Sequence, residues 1–270
     1  MPGTEDIWCD ILCDMTHLPP VKHERFARPP LKAVVGQIRF PTVLRMVDKS
    51  FVAPFQDAIR DEYPEVLDET QFGIVVGPAG AVQTEPAKQL RLRTADGTWS
   101  SVLTPDYLSL EAGPAYTDSM DFADRFTRIW TAALEHFRPT RRAQQGLRYV
   151  NYLEGDHSAS QWRALINPDL MGPIGGDELG DDVEQWVSDF RLARPNGTLI
   201  LRHGFIKGSS TSAAGYLLDF DYFTQHEPEL VGVDAVLATF AQFHDELYSL
   251  FRWCVTDKAL ETFRAIRAGE

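Results

Sequence analysis

The feature that most constrains this chain is a duplication in its order of elements. Residues 31–40 (LKAVVGQIRF) are β-rich and are ended by Pro41. Residues 50–62 then carry Phe51, Phe55 and Ile59 at helical spacing behind Ser50, which reads as an N-cap. Strands are expected at 72–76, 89–95 and 98–111, the last two joined by the hairpin signal Asp96-Gly97. An amphipathic helix over 121–137, with Phe122, Phe126, Ile129, Trp130, Ala133 and Phe137 on one stripe, stops at Pro139. The order then returns: a strand from Leu147 to Glu154, a short helix at 160–166, strands at 183–194 and 198–207 around Pro195-Asn196-Gly197, a strand at 215–223 and a helix at 234–255 capped by Asp234.

Two short matches accompany the repeat. Gln37-Ile38-Arg39-Phe40 aligns with Gly146-Leu147-Arg148-Tyr149, and Asp96-Gly97-Thr98 aligns with Asn196-Gly197-Thr198. The expected fold is α+β. Two pseudo-repeated halves, 31–140 and 146–257, form a curved and mostly antiparallel sheet with the helices on one face. Residues 1–30 read as an N-terminal arm, extended at Pro19-Pro20 and Pro29-Pro30, and residues 258–270 as a C-terminal tail.

Composition narrows the class. In 270 residues, 44% are hydrophobic and 24% charged, which suits a folded chain with a core. No apolar run approaches the ~20 residues of a membrane span, so no membrane partner is expected. Acids precede the first base, Lys22, so no leader is expected, and three cysteines fit a reduced cytoplasm. Cys9 and Cys13 have the wrong spacing for a redox or zinc knuckle and no cofactor motif is present, so neither cofactor nor resident metal is expected. The formal net charge of −13 repels nucleic acid at long range, so nucleic acid is not the expected partner. The acidic run Asp177, Glu178, Asp181, Asp182, Glu184 and Asp189 is either a solvated loop or a docking surface for a basic partner or a second copy, so a homo-oligomer is one expectation.

The candidate site rests on the duplicated arginine. If Ile38/Phe40 and Leu147/Tyr149 face the helices, Arg39 and Arg148 project from the other face. Two converging guanidiniums would take a phosphate or carboxylate; alternatively each orders the sheet by pairing with an internal acid. Asp219 and Asp221 lie two residues apart on one strand face and supply such acids, as ion-pair partners, metal ligands or an acid/base pair. His244, on the stripe Phe240–His244–Leu247–Phe251, and His203 read as core histidines, and Cys254 as a buried thiol.

The runs PLKAVVGQIRFP, FQDAIRDEYP, GLRYVNYLEGD and HDELYSLFRWCVTD resemble a sporadically distributed family of uncharacterised prokaryotic proteins, over roughly residues 29–257. The resemblance implies a cytoplasmic prokaryotic protein from an accessory setting such as a defence or toxin–antitoxin locus, and it transfers no catalytic residue. With no recognisable nucleophile or metal cluster, the expected function is non-catalytic: a binding or adaptor protein whose sheet face, with Arg39, Arg148, Asn151, Asp219 and Asp221 as ligand-binding residues, or whose acidic loop engages a protein, a peptide or a small anionic ligand. The alternative is an enzyme acting on an anionic substrate around Arg148, Asn151, Asp219 and Asp221.

Overall fold

Alternation in LKAVVGQIRF decides the two sides of the first strand, β1 (Leu31–Arg39). Val34, Gly36 and Ile38 are buried, whereas Val35, Gln37 and Arg39 are only half-buried. In this computed structural model the described residues are 18, 21–71, 74–77, 80–83, 87–155, 159–176, 179, 182–206, 213–224 and 232–264. The start of the arm with Cys9 and Cys13, the acids Asp177, Glu178 and Asp181, and residues 265–270 lie outside them.

After β1 come helix α1 (Lys49–Ile59), β2 (Glu65–Gln71), β3 (Ile74–Gly77), β4 (Gly80–Gln83), β5 (Ala87–Arg93), β6 (Trp99–Leu103), β7 (Tyr107–Ala112) and helix α2 (Ser119–His136). The second half holds β8 (Gln144–Glu154), α3 (Ala159–Leu165), β9 (Gln185–Arg194), β10 (Gly197–Ile206), β11 (Gly215–Phe223), α4 (Val233–Cys254) and α5 (Asp257–Arg264). Nine strands hydrogen-bond in the order β2-β5-β6-β7-β1-β8-β11-β10-β9, and β3 pairs with β4 in a separate ladder. Outward from the antiparallel β1–β8 pair, the order is β7, β6, β5 on one side and β11, β10, β9 on the other. Each half is thus a strand, a helix, a meander that returns beside the first strand, and a long helix. The α+β fold with two pseudo-repeats is the expected one.

Two compact units divide the described chain, and their boundary is not the boundary of the repeat. One comprises 31–151 and 219–242. Its core is built where the even face of β1 meets α2 and the start of α4: Phe122 stacks on Phe126, and Phe240 meets both edge-on at 5.7 and 4.7 Å. Phe55 of α1 packs on Phe137 at 4.8 Å. The aromatic stripe read from 121–137 is this core, and Phe126, Ile129 and Trp130 are fully buried.

The other unit comprises 1–30, 152–218 and 243–270. Trp162 of α3 meets Phe205 at 6.1 Å and Tyr216 at 5.6 Å, and Leu199 and Leu201 of β10 are fully buried. The arm is tied down here: Arg28 N–H donates to the Phe263 carbonyl at 2.9 Å, Phe26 packs on Phe263, and Glu24 accepts the Arg264 fork.

Several expected boundaries shift for local reasons. Residues 98–111 are two strands, because Thr104, Pro105 and Asp106 close a turn in which Thr104 Oγ1 donates to Asp106 at 2.8 Å and accepts from Tyr107 N–H at 3.0 Å. The cap of α1 is Asp48, which accepts from Ser50 N–H at 2.8 Å, so Ser50 is inside the helix. The expected tail contains α5, whose Leu260 and Phe263 are buried. β2 has the sequence EVLDETQ, too polar for its strand to show as apolar alternation.

Candidate binding site on the polar sheet face

Register places the two arginines. Gln37 lies directly opposite Gly146, Val35 opposite Arg148, and Arg39 opposite Gln144. Gln37 and Gly146 are also equivalent in the repeated tetrapeptide, so the local pseudo-two-fold passes between them. Arg39 and Arg148 follow on either side, two residues from that point along each strand. Directly paired residues share a face, so both side chains project away from Ile38 and Leu147, as the alternation predicts.

They do not converge. Four residues of register separate their backbones by about 13 Å along the strands. Each has its own acid: Arg39 Nη1 donates to Asp106 Oδ2 at 3.1 Å, and Arg148 Nε and Nη2 donate to the two Asp219 oxygens at 2.7 and 2.8 Å. A single two-arginine anion pocket is therefore not what the fold builds, and the ion-pair reading describes both residues. The contacts do not bury the cations. Arg39 remains 43% exposed beside the Tyr107 ring, at 5.1 Å, and Arg148 44% exposed.

Asp219 and Asp221 share a face of β11 but differ in setting: Asp219 is 4% exposed and Asp221 half-buried. Hydrogen bonding to Asp219, reinforced by the charges of Asp219 and Asp221, holds the Arg148 guanidinium even more firmly protonated than usual. The fork fixes Arg148 through Nε and Nη2 and leaves Nη1 uncommitted among the described residues. Asn151 is buried at the end of the β1–β8 pairing, opposite Leu31 and past an irregularity in the ladder. It does not join the cluster through the strand alternation that positions Arg148.

The same face carries a network that the sequence reading missed. Pairing aligns Arg91 with Val102, Val102 with Ser109, and Ser109 with Gln37, so these residues form one row across β5, β6, β7 and β1. Arg91 donates to Glu69 at 2.9 Å, to Ser100 at 2.8 Å and to Glu111 at 2.6 Å. Gln89 donates to Glu69 and accepts from the Tyr107 hydroxyl, while Arg93 donates to Glu65 at 2.8 Å. The alternation Gln89, Arg91, Arg93 in KQLRLR was the available signal.

The histidines part company. His203 is buried at 3% exposure, its Nδ1 3.0 Å from the Tyr216 hydroxyl, which donates to the Leu170 carbonyl. Burial pushes its pKa down to about 4, so it is neutral, as a core histidine should be. His244 is instead only half-buried, its Nε2 3.1 Å from Nδ1 of His23 in the arm, with His23 Nε2 3.2 Å from Asp245. Cys254 is fully buried, and burial raises its thiol pKa well above the ordinary value. Among the described residues no cluster of three His, Cys, Asp or Glu is arranged to hold a metal, and no helix is long and apolar enough to cross a membrane. No protein-family model matches the chain, and neither does any curated protein sequence.

Proposed function

We propose that the chain is a non-catalytic binding protein, and that the polar face of β1 and β8 takes an extended, acidic segment of a protein partner. The supporting observation is the pair Arg39 and Arg148, symmetric about Gln37/Gly146, each anchored by its own carboxylate and each nearly half exposed. Their spacing of about 13 Å matches residues i and i+4 on one face of an extended peptide. With one guanidinium held by Asp106 and the other by Asp219, the two are not drawn together on one phosphate or one carboxylate, which favours a peptide over the small anion. Anchoring removes much of the rotamer cost of ordering a free arginine on binding. The net charge of −13 repels an acidic segment at long range, so this recognition is short-range.

The catalytic alternative would need Asp219 available for proton exchange or metal binding. Both of its oxygens already accept from Arg148.

A synthetic peptide of β-branched residues with glutamates at positions i and i+4 tests the proposal. It should bind the full chain, and Arg39→Gln and Arg148→Lys should each weaken it about tenfold. A lysine version of the peptide should not bind. Equal affinity in the variants, or equal binding of the lysine peptide, overturns the reading.

A further inference from the structure

Strand β9 (Gln185–Arg194) ends the nine-strand order and, among the described residues, pairs only with β10. Its outer row of backbone N–H and C=O groups therefore has no strand against it among the described residues. Edges of this kind are commonly guarded by lysine, proline or a very short length. β9 is ten residues long, QWVSDFRLAR, with neither lysine nor proline.

Its exposed face carries Gln185, Val187, Asp189, Arg191 and Ala193, and Val187 is 40% exposed. Asp189 and Arg191 have opposite charges and neighbouring places on that face. Neither makes an ion pair among the described residues, although Arg202 stands opposite Asp189 across the hairpin. A chain that leaves both signs uncompensated on one open edge matches an antiparallel copy of itself.

We propose that β9 is a self-association edge, on which a second copy of this chain adds its own β9 antiparallel about a two-fold axis at Phe190. That register sets Asp189 opposite the second copy's Arg191 twice, because the operation exchanges the two positions. Val187 then meets Ala193 and Phe190 meets its own equivalent. Centring on Asp189 or on Arg191 would put like charges face to face, which destabilises a cross-strand pair. Only the register centred on Phe190 sets Asp189 and Arg191 opposite each other, and the backbone edge supplies the hydrogen bonds, as in strand addition. The inference does not depend on Arg39 or Arg148.

Sedimentation velocity of the full chain across micromolar concentrations tests it. Wild type should dimerise, Asp189→Arg and Arg191→Asp should each weaken the dimer at least about tenfold, and the double reversal Asp189→Arg/Arg191→Asp should restore it. Should a reversal unfold the chain, Asp189→Asn and Arg191→Gln carry the same test with a smaller loss. A wild-type monomer throughout, a dimer indifferent to the single changes, or a double variant no better than the singles overturns the proposal.

Discussion

Arg148 on β8 grips Asp219 on β11 fork to fork, at 2.7 and 2.8 Å, yet the two partners are unequally solvated: the cation is 44% exposed and the anion 4%. The asymmetry decides what each deletion costs. Arg148→Ala takes the two-bond guanidinium fork away from a buried carboxylate, whereas Asp219→Ala leaves an arginine that water can reach. Half-exposure of the cation screens the pair, so the expected losses are about 2 kcal/mol for Arg148→Ala and about 1 kcal/mol for Asp219→Ala. Urea unfolding of both variants measures the difference, and equal losses would contradict the asymmetry.

Acid should weaken the protein through His203. Its folded pKa is about 4, because burial disfavours the imidazolium, while an unfolded histidine titrates near ~6.5. Between those values the unfolded chain binds more protons than the folded one, so stability rises with pH across this window and is lost as pH falls through it. The loss from this group at pH ~4 is on the order of 2–3 kcal/mol. His203→Gln removes the titration. Its unfolding free energy should vary less between pH ~4 and ~6.5 than that of the wild type.

Helix α2 offers a test of local chemistry. Asp118 precedes it in extended backbone and accepts from Met120 N–H at 3.0 Å and Asp121 N–H at 2.9 Å, which satisfies two donors that the first turn leaves open. Asp118→Ala should cost about 1 kcal/mol in thermal or chemical unfolding, and Asp118→Ser much less.

What the sequence disclosed, and what it hid, divides along physical lines. Long stripes such as Phe122–Phe126–Ile129–Trp130, and alternating strands such as 215–223, are written in burial, and burial has a period. The sharing of one face by Arg39 and Arg148 followed from the same alternation. Their separation did not, because it depends on which residue of β1 lies opposite which residue of β8. Alternation fixes faces, whereas the register between strands sets distances, and the Gln37–Gly146 pairing became visible only in the ladder. The Arg91–Glu69–Glu111 network was hidden for a related reason: its members come from β2, β5 and β7, and β2 is too polar to announce itself. The expected tail over 258–270 concealed α5 because the helix is short and only three of its residues, Ala259, Leu260 and Phe263, are buried.

Two glycines should separate side-chain crowding from backbone crowding. At Gly36 in β1, an added Cβ would lie 2.4 Å from Cζ of Phe122 and 3.2 Å from Cζ of Phe240. Those rings belong to a close-packed aromatic cluster, but a ring can still turn or slide by a fraction of an ångström. Gly36→Ala should therefore cost about 1–3 kcal/mol and leave a folded chain. At Gly204 in β10 the obstacle is the neighbouring strand itself: the Cβ would fall 2.0 Å from the Trp186 carbonyl oxygen and 2.7 Å from the Val187 Cα, and φ is +158°. No rotamer change relieves a clash with main chain, and β9 would have to move off β10 to admit the methyl group. Gly204→Ala should cost more than about 3 kcal/mol, and its first sign should be faster amide exchange along β9 and β10 than along β1 and β8. If Gly204→Ala unfolds at the same denaturant concentration as Gly36→Ala, the close approach of β9 to β10 at that point is not what requires glycine there.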